Sequence, residues 1–244
     1  MLLLAIDTSS PRGSLALAKK DLKSGSTFHL LGERHWSREK SHSELVTVTL
    51  QRLLSEAKTS LDQIDGILVG SGPGSFTGIR VGVTLARTLG FGLARPVWSV
   101  NSLRLWAESD LQSEQPTLVV MTGFRDIVYA AIYQRMQKTP TTLEILAPIA
   151  VQVSHLPTLV PGGKLTVVGD GWEKFKDFWP VSLLERVQIS KTCFPEAHHL
   201  FSIFVQSQTD LATCSWKSVK PLYIRGSEAE EKLRQGLLKP LPKM

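Results

Sequence analysis

The chain has 244 residues, 42% of them hydrophobic and 20% charged; this suits one large domain or two lobes, and no apolar run approaches the ~20 residues that cross a bilayer. The net charge of +6 is spread along the chain without a basic cluster, which disfavours a stand-alone RNA-binding protein. Two cysteines, Cys193 and Cys214, have neither metal-type nor disulfide-framework spacing, which favours a reduced, cytosolic protein without membrane association.

The first half of the chain is predicted to form three strands followed by alternating helices and strands. Short apolar or alternating runs indicate the strands, and apolar residues three or four apart indicate the helices. The predicted elements are strands at Leu2–Ile6, Ser14–Ala18 and Thr27–Arg34, a helix at Leu45–Ala57, a strand at Gly66–Gly70, a helix at Phe76–Leu93, a strand at Pro96–Val100 and a helix at Asn101–Glu108.

The pattern begins again after the polar stretch Asp110–Pro116. Three strands followed by helix–strand alternation differ from a simple doubly wound fold, which alternates from its first strand. The order is that of an α/β, actin-like (ribonuclease H-like) fold, in which two β-β-β-α-β-α units face each other around a cleft. We expect a first lobe over residues 1–109 and a smaller, degenerate second lobe over residues 110–244. The second lobe's predicted elements are strands at Leu118–Met121, Val128–Gln134, Leu143–Ala147 and Leu165–Val168, a helix at Trp172–Phe178, a strand at Leu184–Ile189, a helix at Ala197–Gln206, a strand at Leu222–Arg225 and a helix at Glu228–Leu238.

Three turn or loop segments are candidates for a nucleotide cleft. Asp7–Ser10, in the first hairpin turn, offers backbone N–H groups to a phosphate and a carboxylate to a hydrated metal ion. Ser71–Gly78 (SGPGSFTG) leads into a helix N-terminus, a natural anion site, but is neither a Walker nor a dinucleotide-binding loop. The glycines of Gly169–Gly171 could let a base or ribose lie against the backbone, and each segment has a tight turn as its structural alternative. The candidate cleft residues are Asp7, Thr8, Ser9, Gly72, Gly74, Gly169 and Gly171.

Small residues recur at every fourth position along the helix predicted at Phe76–Leu93. Such a stripe lets another backbone approach closely, and the ~1 kcal/mol cost of each helical glycine indicates a tight contact that offsets it. This contact is either internal, against the Leu45–Ala57 helix, or with another chain. The stripe consists of Gly78, Gly82, Ala86, Gly90 and Ala94.

The six histidines do not indicate a metal site. His198 and His199 are adjacent and would point in different directions on a helix, and the other histidines are scattered. No motif such as G-x-S-x-G indicates a nucleophile. We therefore assign neither a metal ion nor a catalytic residue.

Several motifs together resemble the TsaB family, also called YeaZ. They are Asp7-Thr8-Ser9, Gly70–Gly82 (GSGPGSFTGIRVG) and Gly169–Gly171, with Ser41–Glu44 at a helix start and Leu222–Arg225 near the end of the chain. The resemblance implies the actin-like fold and a non-catalytic subunit that binds and activates TsaD, the related catalytic subunit. TsaD transfers threonylcarbamoyl to tRNA next to the anticodon, forming threonylcarbamoyladenosine.

The resemblance also implies further partners: a TsaE-like ATPase and tRNA in a larger complex, and a second copy of the chain in a homodimer when it is alone. Members of the family pair through their first two helices. From that helix pair, the candidate interface residues are Leu45, Val48, Arg52, Ile79, Val83 and Ala86.

Two departures from the motifs of the related proteins argue against enzymatic activity in this chain. TsaD-like relatives carry two metal-binding histidines four residues apart, where this chain has Ser102 and Trp106; serine is a poor metal ligand and tryptophan is none. Family members usually show Asp-Ala-Arg in the second-lobe phosphate loop, where this chain has Thr122-Gly123-Phe124. We assign no cofactor and leave binding of ATP or ADP open. An actin-like ATPase or kinase and a glycoprotease-like metallopeptidase, each acting alone, are the alternatives.

Overall fold

The chain folds around two five-stranded sheets. The computed structural model describes residues 1–20, 27–37, 41–110, 115–136, 142–191, 194–207 and 209–224. None of the helices in these ranges combines the length and apolar character that crossing a bilayer requires. The two sheets share one strand order, so the predicted α/β architecture is confirmed.

The first sheet is built around a buried central strand. Strand β1 pairs antiparallel with β2, which pairs antiparallel with β3, and β1 pairs parallel with β4, which pairs parallel with β5. Every residue of β1 and β4 is buried, as expected for strands covered on both faces. The elements are β1 Leu2–Asp7, β2 Gly13–Lys20, β3 Phe28–Trp36, α1 His42–Glu56, β4 Gly66–Gly70, α2 Phe76–Gly92, β5 Val97–Val100 and α3 Ser102–Glu108.

The second sheet repeats the strand order of the first, β10-β9-β6-β7-β8. It is complete in its strands, and its departure from the first unit lies in its helices, since α4, α5 and α6 have only four or five residues each. Its elements are β6 Thr117–Thr122, β7 Ile127–Arg135, β8 Thr142–Gln152, α4 Leu156–Leu159, β9 Leu165–Val168, α5 Asp170–Lys174, α6 Val181–Leu184 and β10 Val187–Ile189.

The last α-helix of the described residues, α7 (His199–Gln206), packs on the first sheet. On one face of that sheet, α1 and α2 cover Leu4 and Ile6. On the other face, Leu3 and Ala5 contact α7, including Phe201. Residues from both predicted lobes therefore build one core, and the division between residues 109 and 110 stays a prediction about the chain.

The end of the chain differs most from its predicted elements. Residues 222–224 form no strand; the Leu222 amide donates to Ser71 O (2.7 Å) instead. Arg225 and the helix predicted at Glu228–Leu238 lie outside the described residues. The strand predicted at Leu184–Ile189 begins only at Val187, because Pro180 starts the short helix α6 before it.

Truncating Phe201 tests whether α7 belongs to the first core. Phe201 is 4% exposed and stacks on Phe28 with 5.3 Å between ring centroids. We expect Phe201→Ala to lower the free energy of unfolding by about 3–5 kcal/mol, because a buried ring is replaced by a cavity. Phe178→Ala is the matched control, since Phe178 is 58% exposed, and it should change stability by less than about 1 kcal/mol. Equal effects in urea unfolding would contradict the described packing of α7.

Candidate functional site

The carboxylate of Asp7 lies buried at the end of β1, held by hydroxyl and amide donors. Ser9 Oγ donates to Asp7 Oδ1 (2.9 Å), the Ser9 amide donates to the same oxygen (3.1 Å), and Ser102 Oγ donates to Oδ2 (3.3 Å). Thr8, Ser9 and Ser10 are fully buried with it. Burial raises the pKa of Asp7 to about 6 although the Ser9 and Ser102 donors oppose the rise.

Ser102 connects three elements at this point. Besides its bond to Asp7, its Oγ accepts from the Gly72 amide (3.0 Å), and its own amide donates to Gly72 O (2.7 Å). Ser102, which stands where the resemblance places a metal-binding histidine, is therefore a buried structural hydroxyl. One turn later, Trp106 is fully buried and packs beside Met121 and Phe194. Neither residue faces an open cleft.

The glycine-rich loop packs directly against the first hairpin turn. The Ser75 amide donates to Ser9 O (2.8 Å), and a Cβ on Gly74 would overlap that same carbonyl. Gly74 has φ +155°, a conformation that favours glycine. Because the Ser9 amide already binds Asp7, this turn and loop would have to separate before a phosphate could use them.

The third candidate segment packs against the second sheet. Gly169, with φ +114°, approaches Val120 O so closely that a side chain would overlap it, and a Cβ on Gly171 would lie 2.9 Å from the same oxygen. Asp170 Oδ1 accepts from the Thr122 amide (2.8 Å). The adjacent Met121 side chain reaches the Gly74 loop. The structure thus brings the three motifs to one place, where their glycines serve close backbone contacts.

The small-residue stripe of α2 faces the chain's own first hairpin and sheet. A Cβ on Gly78 or Gly82 would overlap atoms of Thr8, and one on Gly90 would overlap Val97. Thr8 Oγ1 also donates to Gly78 O (2.7 Å). The contact is therefore internal, chiefly with the turn after β1 and with β5, while on the α1 side a Cβ on Gly78 would lie 3.3 Å from the His42 ring.

Burial corrects half of the interface residues predicted on α1 and α2. Ile79, Val83 and Ala86 are each at most 2% exposed and belong to the first core, so their side chains do not reach the surface. Both faces of α2 carry apolar residues, so the sequence alone could not show which face points inward. The other three candidates lie on α1, where Leu45 is half-buried and Val48 and Arg52 are exposed.

The outer face of α2 carries aromatic side chains that sequence reasoning did not select. Phe76 stacks on Tyr223 (centroids 5.1 Å apart), and the Arg80 guanidinium lies 4.1 Å above the Phe76 ring. At the other end of the helix, Phe91 is 68% exposed and meets Trp216. A groove of about 310 Å³ lies there, lined by Thr84, Arg87, Thr88, Phe91 and Trp216. We call this face, from Phe76 to Phe91, the α2 surface.

A buried ionic network joins α3 to the second sheet and to α7. Glu108 accepts from Arg135 Nη2 (2.7 Å) and Gln206 Nε2 (2.8 Å), and its other oxygen lies 2.8 Å from Arg104 Nη2. Arg104 also donates to Thr142 Oγ1 (2.6 Å). The i, i+4 spacing of Arg104 and Glu108 is visible in the sequence, but their partners come from distant segments and carry no local signal.

Comparisons with known proteins agree with this geometry. Residues 36–239 match the family model described as TsaD: tRNA N6-adenosine threonylcarbamoyltransferase. The chain is 28% identical over 239 residues to the Escherichia coli protein named tRNA threonylcarbamoyladenosine biosynthesis protein TsaB, covering 96% of this chain and 98% of that one. It is 32% identical over 134 residues to the Bacillus subtilis protein of the same name, covering 55% and 56%. A Pseudomonas aeruginosa structure described as YeaZ superposes with a TM-score of 0.73 at 23% identity, covering 91% of this chain and 99% of that one.

Two sheets of matching strand order, with the three motifs at their junction, define an α/β protein with the fold of the YeaZ structure. Within that class, the chain belongs to the TsaB (YeaZ) family, a branch of the TsaD-type proteins. The resemblance drawn from the sequence motifs is thereby confirmed.

The pH dependence of stability tests the buried state of Asp7. Its folded pKa of about 6 lies above the ordinary value of 3.8, so the unfolded chain releases this proton first and wild-type stability falls as pH rises between these values. Asp7→Asn does not titrate. From pH 4 to pH 7, the unfolding free energy of wild type should therefore fall relative to Asp7→Asn by roughly 2 kcal/mol, measured by urea unfolding. A difference that is constant with pH would show that Asp7 is solvated.

Proposed function

We propose that this chain is a non-catalytic partner subunit that binds a TsaD-like catalytic subunit and activates or scaffolds it in forming threonylcarbamoyladenosine on tRNA. Its family membership and the names of its relatives in Escherichia coli and Bacillus subtilis support the pathway. The observation that carries the partner role is the α2 surface. Its exposed aromatic side chains lie on a helix whose other face packs closely against the first hairpin turn and β5.

Burial around α3 supports a non-catalytic role. Ser102 and Trp106 replace the two histidines that the resemblance assigns to TsaD-like relatives, and both are fully buried. A hydroxyl that is already bonded to Asp7 and Gly72, beside an indole, offers no pair of ligands for a catalytic metal ion. Transfer chemistry is therefore assigned to the TsaD-like partner, not to this chain.

The α2 surface has the composition of a protein interface. Aromatic residues and arginine are enriched at such interfaces, and Phe76, Arg80, Arg87 and Phe91 occur here on a single helix. On the neighbouring helix α1, Val48 is 42% exposed and adds an apolar side chain. Phe91 beside the groove at Trp216 is the best anchor, because a large ring next to a concavity can be fully desolvated on binding.

The same surface accounts for a homodimer, one of the further assemblies that we propose. When the chain is alone, two copies can cover each other's α2 surface as a homodimer, which a TsaD-like subunit would displace. A TsaE-like ATPase and tRNA join the larger complex through other contacts. The surplus positive charge of the chain, +6, favours the encounter with tRNA.

Replacing Phe91 tests the interface. We expect Phe91→Asp to weaken binding to the TsaD-like subunit of the same organism by at least ~30-fold, about 2 kcal/mol, because an anchor ring is lost and a charge is desolvated. Affinities would be measured by calorimetry, and self-association by sedimentation velocity should weaken as well.

Val181→Asp is the matched control, since Val181 is also 68% exposed but lies on α6. Its affinity should stay within about threefold of wild type, and thermal melting should show both variants folded. Unchanged binding by Phe91→Asp would move the interface elsewhere. Failure of the wild-type chain to bind the TsaD-like subunit would refute the partner role itself.

Turnover assays separate the partner role from an independent enzyme. Given threonylcarbamoyl-adenylate and tRNA, the chain alone should form no modified tRNA, and adding it to the TsaD-like subunit should raise the yield. Neither ATP hydrolysis nor peptide cleavage should exceed the level of an Asp7→Ala control. Product formation without the TsaD-like subunit, or turnover that Asp7→Ala abolishes, would favour the enzymatic alternatives.

A further inference from the structure

Histidine and glutamate side chains cluster where α7 begins. Glu196, His198 and His199 each place one potential ligand atom within 4.8 Å of the other two, and all three are half-buried. The chain turns tightly here, because the His199 amide donates to Glu196 O (3.1 Å). The two imidazole rings lie side by side with 4.0 Å between centroids. The adjacent histidines therefore do not diverge as their sequence spacing predicts for a regular helix.

A glutamate from a distant strand orients one of these rings. His198 Nδ1 lies 2.9 Å from Glu33 Oε2, and the His198 amide contacts the other Glu33 oxygen at 3.4 Å. A carboxylate can only accept, so Nδ1 carries the proton towards Glu33, and Glu196 Oε2 lies 3.7 Å from the same nitrogen. Nε2 is the nitrogen left for a ligand, and the His198 ring has to turn it towards Glu196 for both to hold one ion. Histidines that bind metal ions are usually held by a carboxylate in this way.

We infer that Glu196, His198 and His199 form a binding site for a divalent transition-metal ion of the zinc class. Two imidazoles and one carboxylate suit zinc, whereas magnesium and calcium prefer oxygen ligands alone. Ligand atoms around a tetrahedral zinc lie about 3.4 Å apart, so the three ligand atoms, which lie within 4.8 Å of one another, need to move closer together to bind the ion. Three protein ligands leave the fourth position to water or an exogenous ligand.

The cluster lies where α7 meets the first sheet, so a bound ion would affect how this helix is held. Glu33 lies on β3, an edge strand of the first sheet, and the three ligands lie at the start of α7. A bound ion would fasten the returning helix to the sheet through Glu33. α7 covers the opposite face of this sheet from α2, so the site is independent of the proposed partner surface.

Zinc retention tests the site on the full, tag-free chain. After chelation, dialysis against buffered Zn²⁺ and gel filtration, wild type should retain about one zinc per chain by mass spectrometry. In competition with a chromophoric indicator, Glu196→Gln and His199→Ala should bind zinc at least ~10-fold more weakly. Glu33→Gln should also weaken zinc binding, by ~10–100-fold, because the Glu33 carboxylate orients the ligand His198 without binding the ion itself.

His155→Ala is the matched control, since His155 is exposed on the second lobe, and it should bind zinc like wild type. Thermal melting in chelator checks that each variant folds, and Glu196→Gln keeps the size of the side chain. Zinc should raise the melting temperature of wild type and not of Glu196→Gln. No retained zinc in wild type, or equal affinity in wild type, Glu196→Gln and His199→Ala, would overturn the inference and leave an ordinary ion-pair cluster.

Discussion

The hydrogen bonds of Ser102 to Asp7 and Gly72 are the constraint on which the rest of the structure depends. They join the end of β1, the loop before α2 and the start of α3 at one buried point. From there α3 extends to the second sheet, where Trp106 is buried and Glu108 binds Arg135. Ser102 thus anchors the start of the helix that extends from the first sheet to the second. A buried carboxylate that lost these donors would be expensive to keep charged, which couples the three elements strongly.

Neighbouring contacts close the turn and the loop that the sequence suggested for a nucleotide cleft. The hairpin turn and the glycine-rich loop bind each other through Ser9 and Ser75. Donors that could hold a phosphate already bind the chain, so the junction is rigid without a ligand.

The sequence predicted the strands and their order well because burial there is unambiguous. β4 and β9 match their predicted limits, and continuous apolar runs leave no choice of face. It could not assign the faces of α2, because Ile79 and Val83 on one side and Phe91 on the other are all apolar. Nor could it find the Glu33–His198 contact, which joins residues 165 positions apart. Local periodicity carries no information about contacts between residues so far apart in the sequence, because the fold alone brings them together.

One face of α2 packs inside the chain and the other is exposed, and this arrangement affects how tightly a partner would bind in the proposed complex. Its glycines bring the helix so close to Thr8 that it cannot shift without breaking the packing of the first hairpin turn. The aromatic side chains on its outer face are therefore presented by a preorganised backbone. Arg80 and Tyr223 further hold the Phe76 ring in place. In the proposed complex, binding would therefore order few side chains, and more of the free energy gained by covering apolar area at the α2 surface would contribute to affinity. In the proposed complex, the glycine stripe would act on recognition indirectly, because it holds in place the helix that carries the α2 surface.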